Sequence, residues 1–355
     1  AHCSIAMILH TVVWLPQGER VRTAIVLMTH RFDAPILDEL VRMRAAATGT
    51  DRAFVLSDAA TLPDTLDIET HRFVYADIAS RTTRLVGESI MLNLHLAWLD
   101  FFDAHPDFDH YWFAEYDVRY AGPWHELIDA FRDQPHDLLC AHLRSAGDEP
   151  NWHWWHEIQP PQGEIERADC IRGFLPITRM SWHGLDALSR CVADGWTGFF
   201  EGLIPTALHH GGLQIGDFGG DGRYVPDGFR NRFYTSSSDR DGSLCNLGTH
   251  RYRPAIAYPR IVSGRIYHPV KPEFCLIDAG IDSEHAGAAI GNVLEQIQQI
   301  RIHRQVPIDT LLQALAGIDV AELRGALDQL QQTYIGDARF ARLRERLERL
   351  TGMPA

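Results

Sequence analysis

Residues 110–124 read HYWFAEYDVRYAGPW, an aromatic and apolar run that leads into two acids one residue apart. A strand buried on both faces of a sheet is continuous in apolar residues, so Tyr111–Ala114 is predicted to be an inner strand. Glu115 and Asp117 then lie at the carboxyl edge of the sheet, where open α/β sheets bind ligands. On an extended chain their side chains point to the same side and could share a hard cation that carries phosphate oxygens. The simpler alternative is a pair of solvated acids in the turn before a helix that starts near Pro123.

Further short apolar runs on both sides of this strand predict the rest of the sheet. Thr23–His30, Arg52–Ser57, Arg72–Tyr75 and Asp137–Ala141 are the predicted strands. One helix is predicted over about residues 35–47, and a second, long helix follows. That second helix carries a buried stripe at helical spacing: Ile90, Leu94, Ala97, Trp98 and Phe101. Strands that alternate with helices predict an α/β fold with a mostly parallel sheet covered on both faces.

Composition limits the kinds of partner. The chain has 355 residues and a formal net charge of −14, which disfavours nucleic acid because an acidic surface repels phosphate backbones. Its only lysine is Lys271. The N-terminal apolar run is too short to span a bilayer, so we expect a cytoplasmic protein without a membrane span, although that run leaves peripheral membrane association open. Six scattered cysteines are expected to be buried thiols: Cys3, Cys140, Cys170, Cys191, Cys245 and Cys275.

The later part of the chain changes character twice. Residues 216–252 are rich in Gly, Asp, Ser and Arg, and such a long stretch predicts either a functional loop or a partly mobile segment. Beyond Ser283 apolar residues recur at helical spacing. We therefore expect two units, a catalytic α/β domain over residues 1–283 and a helical appendage over residues 284–355. The appendage is also the predicted place for any self-association.

The motif E-Y-D-V-R-Y-x-G-x-W resembles an uncharacterised glycosyltransferase-like family, and the chain more broadly resembles GT-A-fold glycosyltransferases, in which a D-x-D-type motif holds a divalent metal and the diphosphate of a nucleotide-sugar. The similarity covers roughly residues 21–272. It includes the segments NWHWWHE at 151–157, GFFEGLIPT at 198–206 and IYHPVK at 266–271. Glu in place of the first Asp is the departure from the usual motif.

This resemblance implies a metal and donor site. Asp117 is expected to ligate the metal, and Glu115 to reach the ribose or a metal-bound water. His268 matches the late histidine that completes such sites, and a shell of carboxylate, imidazole and phosphate suits Mn²⁺ at least as well as Mg²⁺. Lys271 could contact the diphosphate as a point charge. The alternative is that His268, a lone histidine before proline, is only a turn residue.

Glu201 is the predicted general base. It opens a predicted helix after the turn at 195–198, and the helix dipole holds an N-terminal carboxylate ionised. The inverting enzymes that the sequence resembles carry an acid at this position. One base would take the proton of the acceptor hydroxyl as its oxygen attacks the anomeric carbon. The alternative is an acid that only stabilises its own helix.

Donor and acceptor contacts are predicted from polar strand ends and from an aromatic loop. The donor's base and ribose are expected over the first strand ends, and the candidate donor-binding residues are Thr29, His30, Asp58 and Asn93. Aromatic rings stack on the apolar faces of sugars, so the tryptophans of the 151–157 loop are candidate acceptor residues, although core packing of at least one is equally open. These tryptophans are Trp152, Trp154 and Trp155.

Together these features predict a metal-dependent glycosyltransferase that moves a sugar from a nucleotide-diphosphate sugar, a UDP-sugar being favoured, to a glycan or other acceptor hydroxyl with inversion. Three alternatives stay open. A nucleotidyltransferase also needs paired acids and a metal, but it would require a Gly-rich loop with Lys or Arg after the first strand. A nucleotide-sugar hydrolase differs only in admitting water. A non-catalytic relic could serve as a binding subunit, but it has no reason to keep Asp117, Glu201 and His268 together.

Overall fold

The structure is a computed structural model of the chain, and it describes the following residues: 21–63, 66–82, 84–235, 242, 244, 248–252, 264–271, 324–325, 327–328 and 338–351. The N-terminal apolar run, most of the predicted C-terminal appendage, and Cys3, Cys245 and Cys275 lie outside them. The division of the chain at residue 283 therefore stays a prediction.

A seven-stranded sheet forms the centre of the fold. Its strands along the chain are β1 (Thr23–Met28), β2 (Arg52–Ser57), β3 (Glu69–Arg72), β4 (His110–Glu115), β6 (Leu138–Ser145), β7 (Ile171–Ser181) and β8 (Ile215–Asp217). In space their order is β3-β2-β1-β4-β7-β6-β8. Only β7 among them runs against its neighbours, β4 and β6. The predicted α/β class with a mostly parallel sheet is confirmed.

A second, two-stranded sheet lies beyond the end of β4. It pairs β5 (Arg119–Tyr120) antiparallel with β9 (Ile266–Tyr267). Since β5 follows the E-Y-D acids and β9 precedes His268, this small sheet brings two segments that are far apart in the chain to the same place.

Helices cover both faces of the central sheet. They are α1 (Ala34–Ala46), α2 (Tyr75–Ala79), α3 (His95–Ala104), α4 (Trp124–Ala130), α5 (Trp182–Asp194) and α6 (Phe200–His210). A further helix, α7, is formed by Ala338–Thr351. In β1, Ala24 and Val26 pack into the core beneath α3, α5 and α6. Ile25 and Leu27 pack into the opposite core, with α1 and α4. Burial on both faces explains why this strand is continuous in apolar residues.

Two of the predicted elements are wrong in detail. The run Arg72–Tyr75 is not a strand: β3 ends at Arg72, and Tyr75 begins α2. The second helix does not include Ile90, which lies in a separate 3₁₀ turn, Ile90–Leu92, before α3 begins at His95. Asn93 separates the turn from the helix, and its side chain hydrogen-bonds to the backbone of Val86 and Ser89 instead of continuing the helix.

Two other sequence predictions can be compared with the described residues. No helix among them is long and apolar enough to cross a membrane. Cys140 and Cys170 are buried free thiols, and Cys191 is a partly exposed one.

Candidate active site

A cavity of about 840 Å³ opens at the carboxyl edge of the central sheet. Thr29, Asp58 and Glu115, which end or follow β1, β2 and β4, contribute to its wall. Loops after β6 and the first turn of α6 close the other side with Trp152, Trp154 and Glu201, while His268 and Lys271 come from the segment after β9. Ten of the twelve residues predicted from sequence to form the site line this cavity. Asn93 and Trp155 do not.

Three potential metal ligands meet in the cavity wall. Glu115, Asp117 and His268 each offer a ligand atom, and these atoms all lie within 4.8 Å of one another. No other cluster of three or more such side chains occurs among the described residues. The prediction that the two acids share a ligand from an extended chain is wrong in its backbone geometry. Residues 116–117 form a turn closed by the Val118 amide, which donates to the Glu115 carbonyl at 2.9 Å.

Arg119 holds this turn in place. Its Nη1 donates to the carbonyls of Tyr116 at 2.6 Å and Val118 at 2.8 Å. Its Nε lies 3.6 Å from a carboxylate oxygen of Glu39 on α1, and both side chains are buried. Arg119 therefore ties the turn that carries Asp117 to α1. The sequence pattern did not predict this role, although an arginine two residues after the second acid was a visible signal.

The imidazole of His268 is oriented by the backbone. Its Nδ1 donates to the carbonyl of Arg251 at 2.7 Å, and the amide of His268 donates to the Thr249 carbonyl at 3.0 Å. With Nδ1 protonated by this hydrogen bond, Nε2 of the neutral ring carries the lone pair, and Nε2 is the atom that faces Asp117. This is the arrangement that a metal-ligating histidine requires.

The carboxyl groups of Glu115 and Asp117 have different pKa values because their surroundings differ. Burial raises the pKa of Glu115 to about 7, and the negative charge of Asp117 adds to this shift. Burial would also raise the pKa of Asp117, but His268 and then Lys271 beside it lower that pKa to about 2. Asp117 is therefore an anion at neutral pH, whereas Glu115 carries a proton for part of the time until a further positive charge arrives.

The donor set fits a divalent cation. Oδ1 of Asp117 is buried without a hydrogen-bond partner among the described residues, and Nε2 of His268 lies 3.4 Å from it. A buried carboxylate oxygen without a partner is costly unless a cation balances it. Two carboxylates and one imidazole are ligands that Mn²⁺ and Mg²⁺ accept, with further positions left for phosphate oxygens or water.

Lys271 places its ammonium group at the rim of this cluster. Nζ lies 3.3 Å from Oδ2 of Asp117 and donates to the hydroxyl of Tyr116 at 3.2 Å. Burial would lower the pKa of Lys271, but Asp117 and Tyr116 raise it above its ordinary value. The only lysine of the chain is thus a fixed positive charge at the edge of the cavity.

Glu201 lies in the first turn of α6, as predicted, and its side chain lines the cavity. The amide of Leu175 in β7 approaches its Oε1 at 3.5 Å. Burial raises the pKa of Glu201 to about 7, while Arg172 and this amide act in the opposite direction. A carboxyl group with such a pKa can accept a proton near neutral pH, as a general base must.

The predicted donor-binding residues divide into two groups. Thr29 and the exposed side chains of His30 and Asp58 line the cavity beside the strand ends. Asn93 is buried outside the cavity lining, and its side-chain amide bonds to the Tyr75 hydroxyl and to the backbone of the preceding loop. Asn93 therefore shapes the loop, and no donor contact is proposed for it.

The three tryptophans also divide. Trp154 lines the cavity and is partly exposed, and it packs on Phe199 with 4.7 Å between the ring centroids. Trp152 also lines the cavity but is nearly buried, and its ring centroid lies 5.2 Å from the guanidinium carbon of Arg172. Trp155 is buried outside the lining, where its Nε1 donates to the Glu149 carbonyl at 2.8 Å. The alternative of core packing for one of the three thus describes Trp155.

Arg172 is a second residue that sequence analysis missed. It lines the cavity from β7, and its Nε lies 2.7 Å from a carboxylate oxygen of Glu149 although both side chains are buried. No short motif marks it, because the pairing joins β7 to the loop after β6. The pair holds a positive charge near Glu201 without exposing it to water.

No family model matches the chain, and no curated protein matches it either. Among solved structures, an active-site mutant of LgtC aligns with 76% of this chain and 95% of its own, at 10% identity and a TM-score of 0.36. A mannosyltransferase from Pyrobaculum calidifontis, in complex with GDP-Man and Mn²⁺, aligns with 94% of this chain and 87% of its own, at 10% identity and a TM-score of 0.33.

A third similar structure is glucosyl-3-phosphoglycerate synthase from Mycobacterium tuberculosis with Mn²⁺, UDP and its product, at 15% identity and a TM-score of 0.28. It aligns over 49% of this chain and 67% of its own. Identities and TM-scores at this level are too low to assign an activity to this chain.

Proposed function

We propose that the chain is a metal-dependent glycosyltransferase of the GT-A type, which moves a sugar from a nucleotide-diphosphate sugar to an acceptor hydroxyl with inversion. The observation that carries the proposal is the cluster of Glu115, Asp117 and His268 at the carboxyl edge of the sheet, with Lys271 at its rim. The E-Y-D resemblance points to the same chemistry.

Asp117 and His268 would hold the cation directly. Oδ1 of Asp117 and Nε2 of His268 are the buried atoms that face each other, and no other described residue hydrogen-bonds to this Oδ1. Glu115 would ligate through water or contact the donor's ribose. When bound, Mn²⁺ or Mg²⁺ would neutralise the charge that develops on the departing diphosphate.

The chain's own groups would divide the remaining work. Thr29, His30 and Asp58 would contact the base and ribose from the strand ends, and Lys271 would attract the diphosphate. Trp152 and Trp154 would contact the acceptor. Glu201 would accept the proton of the acceptor hydroxyl as the oxygen bonds to the anomeric carbon and the bond from that carbon to the diphosphate oxygen breaks.

Calorimetric titration with UDP, GDP, ADP and CDP, each with and without Mn²⁺, tests the proposal. We expect one nucleotide to bind only when Mn²⁺ is present, with UDP the first candidate. Absence of binding under all eight conditions would contradict the proposal and favour a non-catalytic relic. A nucleotide-sugar that is consumed without acceptor and yields free sugar would instead indicate a hydrolase.

A further inference from the structure

The 3₁₀ turn Ile90–Leu92 exposes three consecutive apolar side chains to the cavity. All three line it, none is buried, and Met91 is 61% exposed. The chain has a net charge of −14 and many charged residues that could occupy a surface turn, yet this turn consists of three apolar residues. Ile90 and Leu92 are partly buried and Met91 is exposed, and apolar side chains left in contact with water at a binding cavity mark a surface that is covered when a ligand binds.

This turn continues into a wider apolar wall. Phe73, Leu94 and Phe199 also line the cavity, and they are partly buried against the same core that packs beneath α3 and α6. The wall is mostly aliphatic around the turn and aromatic at Phe199. It presents no carboxylate or amide of its own, unlike the opposite end of the cavity with Asp117 and Lys271.

The wall lies beside the candidate base. Arg84, in the loop leading to the turn, donates to the Gly195 carbonyl at 2.6 Å, and its own carbonyl accepts from the Thr197 hydroxyl at 2.9 Å. These two hydrogen bonds attach the loop to the segment that enters α6. Phe199, which belongs to the wall, precedes Glu201 by two residues at the start of α6, and both side chains line the cavity. This end of the wall therefore adjoins the position where an acceptor hydroxyl would lose its proton.

We infer that the acceptor carries an apolar aglycone, an alkyl, isoprenoid or aryl group, which packs on the wall formed by Ile90, Met91, Leu92 and Phe199 while its hydroxyl faces Glu201. This inference rests on the proposed function. Sugar hydroxyls buried against aliphatic side chains would lose hydrogen bonds to water without replacement, so a bare glycan is a poor occupant. An apolar group gains from leaving water at the same surface.

Binding of alkyl glycosides tests the inference. The full-length protein, saturated with Mn²⁺ and the nucleotide diphosphate that binds, is titrated with n-hexyl and n-octyl β-D-glucoside below their micelle concentrations. Two additional methylenes on an apolar surface should tighten binding roughly tenfold. The double substitution Met91→Gln with Leu92→Gln should remove most of this dependence on chain length and leave nucleotide binding unchanged.

Val41→Gln is the matched control, because Val41 is 67% exposed on α1 and does not line the cavity. It should retain the tenfold difference. Equal affinity of the two glucosides for the wild-type protein would overturn the inference, and so would an undiminished difference in the double variant. Chain-length-dependent binding of the glucosides to the nucleotide-free protein that disappears once nucleotide saturates it would assign the wall to the donor and overturn it too. A protein that binds no nucleotide with Mn²⁺ fails the proposed function instead.

Discussion

Nε2 of His268 lies 3.4 Å from Oδ1 of Asp117, although the two residues come from distant parts of the chain. The contact depends on the β5–β9 pairing, in which Arg119 is opposite Tyr267. It also depends on the Val270 amide, which donates to the Asp117 carbonyl at 2.7 Å. The backbone thus positions both side chains before any ion arrives, which lowers the conformational cost of binding one.

Asp117→Asn should abolish the metal dependence of nucleotide binding. The amide keeps the size of the side chain but removes the charge that a divalent cation needs, so we expect Mn²⁺-dependent affinity to fall at least ~100-fold. Calorimetry with the nucleotide and Mn²⁺ measures it. Asp186→Asn on α5, away from the cavity, is the control, and unchanged nucleotide affinity in Asp117→Asn would contradict the ligand role.

Glu201→Gln should still bind donor but lose transfer. Glutamine retains the shape of the side chain and cannot accept the hydroxyl proton, so turnover should drop at least ~100-fold. Donor consumption with an accepted acceptor is the measurement. Glu126→Gln removes another acid from the first turn of a helix, α4, that contributes nothing to the cavity wall, and it should turn over normally. Comparable rates in the two variants would remove Glu201 from the mechanism.

Glu201 should also make stability depend on pH. Its pKa in the folded state is about 7, against an ordinary value of 4.5, so between these values the folded state binds more protons than the unfolded state, and stability falls as pH rises through that window. Glu201→Gln removes the penalty. The difference in free energy of unfolding between the metal-free variant and the metal-free wild type should therefore grow by on the order of 1–3 kcal/mol in favour of the variant from pH 5 to pH 8. Denaturant unfolding at both pH values measures this, and a constant difference would refute it.

Arg119→Lys should weaken metal binding more than it weakens the fold. Lysine keeps the charge opposite Glu39, but one ammonium cannot reproduce the donor geometry of a guanidinium that bonds two carbonyls of the 116–118 turn. We expect Mn²⁺ affinity to fall about 10- to 100-fold, as for residues that orient metal ligands. Manganese binding followed by electron paramagnetic resonance measures it.

Arg42→Lys is the matched control for this variant. Arg42 also contacts Glu39, and its Nη2 donates to the carbonyls of Tyr120 and Gly122, which lie outside the 116–118 turn. Its manganese affinity should stay close to wild type. If both variants lose affinity equally, Arg119 acts only through general stability and not through the turn.

Local pattern predicted β1, β2, β4 and β6 of the central sheet but not β3, β7 or β8. Tyr111–Ala114 is a continuous apolar run, and Thr23–His30 is one that ends in the polar residues Thr29 and His30. Both runs lie in inner strands, β4 and β1, although β1 ends at Met28, and burial on two faces favours apolar residues throughout such strands. The pattern failed at Arg72–Tyr75, since a four-residue run has no period that distinguishes a strand end from a helix start. It failed at Ile90 because the side chain of Asn93 interrupts the helix through bonds to backbone that spacing does not reveal.

The sequence by itself determined the strand ends that carry Thr29, Asp58 and Glu115, because the apolar runs and the polar residues that close them are local. Only the tertiary structure decided which side chains share the cavity. It brought His268 to Asp117, attached Arg119 to the turn between the acids, and removed Asn93 and Trp155 from the cavity wall. The meeting of His268 with Asp117 depends on contacts between residues far apart in the chain, whereas Asn93 and Trp155 are held by side-chain hydrogen bonds to nearby backbone. Neither kind of contact is recorded in periodicity or spacing.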